Sequence, residues 1–238
     1  SEYKQEIPAG QYICMYYHDS GLEEYNPSFE LIKDYLRVHD LEITHGIRPI
    51  WEGCPKLVGE AVTVKLGPTG EVGLQNTHLC VDAINAAKPG DVILIDNHGD
   101  MEISSWGGLL ANGAKAKGIS GVAVDGVVRD VDYFVESDFP VFARGAVVRT
   151  SRGRVMEYET NGMIQFANVQ VRPGDVVVGD RSGISTIPKE RLDEVIEKAV
   201  ELEENERRMM QDVGAGENMF DVDQKYDYMH WLQKKEEK

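Results

Sequence analysis

The run Gly121-Val-Ala-Val-Asp-Gly-Val-Val-Arg-Asp130 constrains this chain more than any other stretch. Its apolar residues Val122, Ala123 and Val124 lead into Asp125-Gly126, and Val127-Val128 then deliver Arg129 and Asp130 side by side. The pattern predicts a buried strand that presents a cation and a carboxylate at its carboxyl end. Open α/β sheets bind ligands at such strand ends. An arginine there can hold a carboxylate bidentately, and an aspartate can bind a divalent metal through oxygen. A surface Arg-Asp pair following a core strand has the same local pattern, and the pattern alone leaves both readings open.

Punctuation on either side of this run predicts strands alternating with helices. Val58 to Lys65 alternates in part and stops before Gly67-Pro68 and Gly70. Thr77 to Ala87 has helical spacing, with Leu79, Cys80, Ala83, Ile84 and Ala87 on one face, and so does Ser105 to Lys117 ahead of Gly118. Phe139 to Val148 predicts a further strand. Pro188 to about Gln211 predicts a long acidic helix with Leu192, Val195, Ile196, Val200 and Met209 as its apolar stripe. Asn26 before Pro27 predicts a helix over 27–39. Strands alternating with helices argue for one α/β domain over residues 27–213. A polar, aromatic-rich N-terminal arm (1–26) precedes it. A tail (214–238) follows, whose Phe220, Tyr226, Tyr228 and Trp231 predict docking on a neighbouring surface.

Lys88-Pro-Gly-Asp-Val-Ile-Leu-Ile-Asp96 echoes Arg172-Pro-Gly-Asp-Val-Val-Val-Gly-Asp180. Each predicts a turn feeding a buried strand, and shared turn chemistry explains the echo better than duplicated structure.

Composition excludes more than it identifies. The 238 residues carry a formal charge of −16, which argues against a nucleic-acid groove because phosphate backbones repel such a surface. Cys14, Cys54 and Cys80 form neither a disulfide framework nor a metal-ligand spacing, so a reducing compartment is expected. No signal-like start is visible, and no apolar run approaches the roughly 18 residues of a membrane span. These features predict a cytoplasmic protein that does not enter a membrane.

The order of several motifs resembles the RraA-like family. They are Leu57-Val-Gly-Glu-Ala-Val-Thr63, Lys88-Pro-Gly-Asp-Val92, Trp106-Gly-Gly-Leu-Leu-Ala111, Asp125-Gly-Val-Val-Arg-Asp130, Pro140-Val-Phe-Ala143, Arg172-Pro-Gly-Asp175 and Gly179-Asp-Arg-Ser-Gly-Ile-Ser-Thr-Ile-Pro188. The resemblance covers roughly residues 28–207. That family contains class II 4-hydroxy-4-methyl-2-oxoglutarate/4-carboxy-4-hydroxy-2-oxoadipate aldolases and the regulator of ribonuclease E. It implies an α/β sandwich of the swivelling β/β/α type, and a homotrimer or hexamer with sites at subunit interfaces. It also implies a divalent cation, Mg²⁺ or Mn²⁺, carried by Asp130, and a 2-oxo acid held by Arg129 and by the N–H groups of Leu109 and Leu110. The expected activity is lyase chemistry through a pyruvate enolate: retro-aldol cleavage, with oxaloacetate decarboxylation as a companion. The contrasting expectation is a non-catalytic protein-binding trimer like the ribonuclease regulator.

This chain departs from the aldolase pattern at Gly108, twenty residues before Arg129, where the aldolases carry Asp or Glu. Asp100 and Glu102, predicted on the loop before the helix, are candidates to supply the missing carboxylate. Asn76 suits helix capping better than substrate contact, and His98 suits solvent better than a ligand role. Glu203 and Glu206 resemble the position from which a neighbouring aldolase subunit contributes a glutamate, although a solvated helix face is favoured for them. Asp125 is expected to organise its turn. Arg149, Arg152 and Arg154 form a basic island that either reaches an anionic substrate tail or pairs with carboxylates.

Overall fold

The structure is a computed structural model that describes residues 44–70 and 78–231. The N-terminal arm, the helix predicted over 27–39 and Asn76 lie outside the described residues. The strands are β1 (Arg48–Pro49), β2 (Leu57–Pro68), β3 (Val92–Trp106), β4 (Gly121–Val128), β5 (Val141–Ala143), β6 (Gly145–Ala146), β7 (Val155–Thr160), β8 (Ile164–Phe166), β9 (Val169–Val171), β10 (Val176–Asp180) and β11 (Gly183–Ile187). The helices are α1 (Val81–Ala86), α2 (Gly108–Ala116), α3 (Val131–Ser137), α4 (Leu192–Gly214) and α5 (Met219–Tyr226).

Strand order in the main sheet is β1-β5-β4-β3-β2-β10-β11, with β6 beside β4 and β7 beside β2. The four middle strands β2, β3, β4 and β5 pair in parallel, and all eight residues of β4 are buried. A central parallel strand is covered on both faces, which explains its unbroken apolar texture.

Side-chain alternation sorts the core into two layers. Val62, Val64, Ile93, Ile95, Val122 and Val124 point to one face, where they meet Ala83 of α1, Leu110, Ala111 and Ala114 of α2, and Phe134 of α3. Ala61, Val92, Leu94 and Ala123 point to the other. There they meet Phe142, Val177 and Ile184 of the sheet and Ile164, Phe166, Val169 and Val171 of the β8-β9 hairpin. The chain is therefore a β/β/α sandwich, as the family resemblance implies. Each fully buried large side chain, such as Phe134 or Phe166, contributes about 2–3 kcal/mol.

The two Pro-Gly-Asp sequences make the same turn. In each, the basic residue's carbonyl accepts from the Asp N–H, at 3.1 Å for Lys88–Asp91 and 3.2 Å for Arg172–Asp175. The Asp carboxylate in turn accepts the basic residue's N–H, at 2.7 and 2.8 Å. Gly90 and Gly174 sit at φ +92° and +87°, which a type II turn requires of its third residue. The strands they feed differ, since β3 lies between parallel neighbours and β10 between antiparallel ones. Shared turn chemistry accounts for the echo.

Three expectations are corrected. Beyond Asp96, β3 continues through register shifts to Trp106, so Asp100 and Glu102 lie on a bulged strand and not on a loop, and α2 begins at Gly108. The strand predicted over Phe139 to Val148 is two short pieces, β5 and β6. On α4 the buried stripe is Leu192, Val195, Ala199, Leu202 and Met209, while Ile196 and Val200 are only half-buried.

At the end of the chain, α5 folds back on α4. Lys225 Nζ and Tyr226 Oη both donate to Asp212 at 2.8 Å, while Asn218 caps the helix by accepting the Phe220 N–H. Among the described residues no helix is long and apolar enough to cross a membrane.

Candidate functional site

The carboxyl ends of β3 and β4 converge on the first turn of α2. The Arg129 N–H donates to the Trp106 carbonyl at 3.0 Å, tying the end of β4 to the end of β3. Asp130 then turns into the left-handed region (φ 63°), from which α3 starts. Aspartate is one of the few non-glycine residues at home there. Its side chain does not cap its own helix; Oδ2 accepts the Gly108 N–H at 2.9 Å, at the positive end of α2. Arg129 Nε stands 3.9 Å from the same oxygen, and Oδ1 has no protein partner among the described residues. A Cβ on Gly107 would fall 2.8 Å from Asp130 Oδ2 and 3.1 Å from Arg129 Nε, so a side chain there would displace the pair that closes over the helix start.

Arg129 borders two concavities. The larger, about 370 Å³, runs from the first turn of α2 (Gly107, Leu109, Leu110) past Ser104, Ser105 and Trp106 to the 150–153 loop, with Thr69, His78, Leu79 and Val155 completing its wall. The smaller, about 300 Å³, holds Asp130 with Val131, Ala146, Val147 and Val148. Leu109 and Leu110 belong to the first helical turn, whose N–H groups have no partner within the helix. Ser105 and Trp106 belong to the wall of the larger concavity, and the hydroxyl of the one and the indole N–H of the other are buried with no hydrogen-bond partner among the described residues. Such orphans each cost about 1–3 kcal/mol unless something accepts from them.

The structure brings Arg129, Asp130, Leu109 and Leu110 together. Asp100 and Glu102 are not among the residues around either concavity. Asp100 Oδ1 accepts the N–H groups of Glu102 and Ile103, fixing the bulge, and the exposed Glu102 pairs with Arg149 at 2.9 Å. The space beside Gly108 is filled from another direction: a Cβ there would lie 3.2 Å from Cγ and 3.4 Å from Cβ of Tyr133 on α3. The Tyr133 hydroxyl is anchored to Asn112 Oδ1 at 2.8 Å.

His98 is half-exposed and lies 2.9 Å from the Leu66 carbonyl and 3.2 Å from the Asp96 carboxylate, which serves local structure. Asp125 is buried, meets Arg144 Nε at 2.5 Å and accepts the Ala167 N–H at 3.0 Å, so it pins the β8-β9 layer to β4. The solvated face expected for Glu203 and Glu206 is a further correction. Glu203 is 2% exposed, and one carboxylate oxygen of each is buried without a partner among the described residues. Burial pushes the Glu203 carboxyl up, while burial and the Glu203 charge push Glu206 up to about 6.

The basic island resolves into three roles. Arg149 pairs with Glu102, and Arg154 donates to the carbonyls of Thr150 and Arg152, holding the loop's shape. Only Arg152 turns out to line the larger concavity. Ser104, Ser105 and His78 line the larger concavity with no sequence pattern to mark them, because isolated hydroxyls and a lone histidine carry no spacing signal.

Metal fit follows from the donor set. Among the described residues no group of three or more His, Cys, Asp or Glu side chains could hold an ion. One accessible carboxylate, Asp130, suits a cation of the Mg²⁺ type that keeps most of its waters, and does not suit a closed all-protein cage.

Residues 30–185 match the family model described as RraA-like: Aldolase/RraA. The uncharacterized protein MJ0644 of Methanocaldococcus jannaschii is 35% identical over 179 residues, 75% of this chain and 83% of that one. A protein of Halalkalibacterium halodurans named "Putative 4-hydroxy-4-methyl-2-oxoglutarate aldolase" is 34% identical over 157 residues, 66% of this chain and 71% of that one. A solved structure of an uncharacterized Pseudomonas syringae protein superposes with a TM-score of 0.72 at 26% identity, covering 82% of this chain and 91% of that one. With its glycine-closed Arg-Asp corner, its β/β/α layers and this match across most of its length, the chain belongs to the RraA-like family.

Proposed function

We propose that the protein is a divalent-metal-dependent lyase that cleaves a small 2-oxo acid through a pyruvate enolate. Its reactions would be retro-aldol cleavage of a 4-hydroxy-2-oxo acid and decarboxylation of oxaloacetate. The observation that carries the reading is the placement of Arg129 and Asp130 together at the first turn of α2. The aldolase name of the Halalkalibacterium halodurans relative supports it.

Arg129 binds the substrate carboxylate, helped by the N–H groups of Leu109 and Leu110, whose helix end favours an anion. Asp130 would hold the cation, Mg²⁺ or Mn²⁺, with its carboxylate, whose Oδ2 also accepts the Gly108 N–H. Bound there, the cation would oppose the negative charge that builds on the 2-oxo oxygen as the carbon–carbon bond breaks. No carboxylate lies in the wall of the larger concavity among the described residues, so a water is the proton carrier in this reading. Leu109 and Val148, 71% and 95% exposed beside the site, support a homotrimer or hexamer in which another copy covers them.

Pyruvate release from oxaloacetate and from 4-hydroxy-4-methyl-2-oxoglutarate, measured with Mg²⁺, with Mn²⁺ and with EDTA, tests the proposal. Turnover that needs metal and disappears in Asp130→Ala is expected. Absence of turnover on both acids with either metal would defeat it and favour the non-catalytic, protein-binding reading.

A further inference from the structure

We infer that Arg152 is the specificity-determining residue of this site, receiving an anionic group on the half of the substrate remote from the 2-oxo acid. The inference rests on the 2-oxo acid reading of Arg129 and adds to it a second anion contact. Both arginines are among the residues that line the one cavity of about 370 Å³, a volume on the general scale of small-ligand pockets.

Charge distribution is the first argument. The chain carries 41 acidic residues against 25 basic ones, yet the described wall of this cavity contains Arg129, Arg152 and His78 and no carboxylate. A concavity of one sign in a protein of the other concentrates the oppositely charged ligand.

The state of the Arg152 side chain is the second. Arg149 is neutralised by Glu102, and Arg154 is spent on two loop carbonyls. The Arg152 guanidinium has no carboxylate or hydrogen-bond partner among the described residues, although its backbone is fixed through its N–H to Thr150 Oγ1 and its carbonyl to Arg154. A positioned loop thus carries, at the cavity's edge, a guanidinium fork of five donors with no partner among the described residues.

Titration calorimetry of the wild-type protein with 2-oxoglutarate and with 2-oxopentanoate, which differ in the distal carboxylate, tests the inference. Arg152→Gln and, as a control on the same loop, Arg149→Gln are run beside it. We expect wild type and Arg149→Gln to bind 2-oxoglutarate about tenfold to a hundredfold more tightly, the worth of a charged hydrogen bond. Arg152→Gln should bind the two acids nearly alike. Equal affinities in the wild type, or a preference that survives in Arg152→Gln, overturns the inference. Failure of both acids to bind overturns it along with the 2-oxo acid site. Preserved preference without pyruvate release from any substrate would leave Arg152 in place and remove the lyase.

Discussion

Asp130 Oδ2 accepts the backbone N–H of Gly108 across twenty-two residues of sequence, so the side chain two residues beyond β4 is the one that completes the first turn of α2. The Arg-Asp corner and the helix end therefore form one unit, and changes to either are felt by both.

Two substitutions at Asp130 separate holding the helix from holding the cation. Asn tolerates the left-handed backbone and still offers an oxygen to the Gly108 N–H, whereas Ala does neither. Asp130→Asn should unfold within about 0.5 kcal/mol of wild type and Asp130→Ala about 1–2 kcal/mol below it. Both should lose metal-dependent pyruvate release. Urea titrations read the first effect and a coupled dehydrogenase assay the second.

Restoring the family carboxylate at position 108 should destabilise the protein. A side chain there meets the root of Tyr133, whose Cβ and Cγ cannot swing away as the tip of a flexible chain would. Overpacking of that kind costs about 1–3 kcal/mol, against a gain of about 0.3–1 kcal/mol for an acid in a first helical turn. Gly108→Asp should therefore melt below wild type, and adding Tyr133→Ala should recover part of the loss. A strictly additive double mutant would show that the two positions do not meet.

Glu206 makes stability depend on pH in an unusual direction. Its carboxyl is pushed up to about 6 from an ordinary 4.5, so the folded protein binds the proton more tightly than the unfolded chain does. Stability then falls as pH rises from 4.5 to about 6 and stays lower above that. The penalty at neutral pH is about 1 kcal/mol once partial exposure is allowed for. Glu206→Gln should reduce that slope, the raised Glu203 carboxyl keeping part of it, and should stabilise the protein above pH 6; denaturation midpoints measured across pH 4 to 8 decide the matter.

Removing Asp125 leaves Arg144 without its partner in a largely buried setting and leaves the Ala167 N–H unpaired. Loss of one member of a buried pair costs about 3–5 kcal/mol. Asp125→Ala should accordingly be the most destabilising of these variants, while whatever fraction folds should keep its affinity for 2-oxo acids, because Asp125 is absent from the described walls of both concavities.

Legibility in the sequence followed the strength of local signals. β2 and β4 declare themselves through apolar runs with glycine punctuation, and the Arg129–Asp130 corner follows from where β4 stops. The second half of β3 does not, because its register shifts destroy the period of two and leave Asp96-Asn-His-Gly-Asp-Met-Glu102 looking like a polar loop. Glu206 was obscured by its neighbours. It falls on the 3-4 rhythm of Leu192, Val195, Ala199, Leu202 and Met209, and that position, not its charge, buries it. Arg152 could be narrowed to one of three arginines by composition, but only the tertiary partners of Arg149 and Arg154 single it out.

A cavity lined by arginines inside a chain of net charge −16 separates the kinetics of binding from its strength. An oxo-dicarboxylate diffusing in from afar meets repulsion first and attraction only within contact range. Salt shortens the reach of that repulsion to a Debye length of about 8–10 Å, so modest ionic strength should speed entry even as it loosens the bound ion. The mouth of the site thus behaves as a tollgate for multiply charged molecules, one whose barrier is set by the acidic excess of the chain as a whole and lowered by the electrolyte around it.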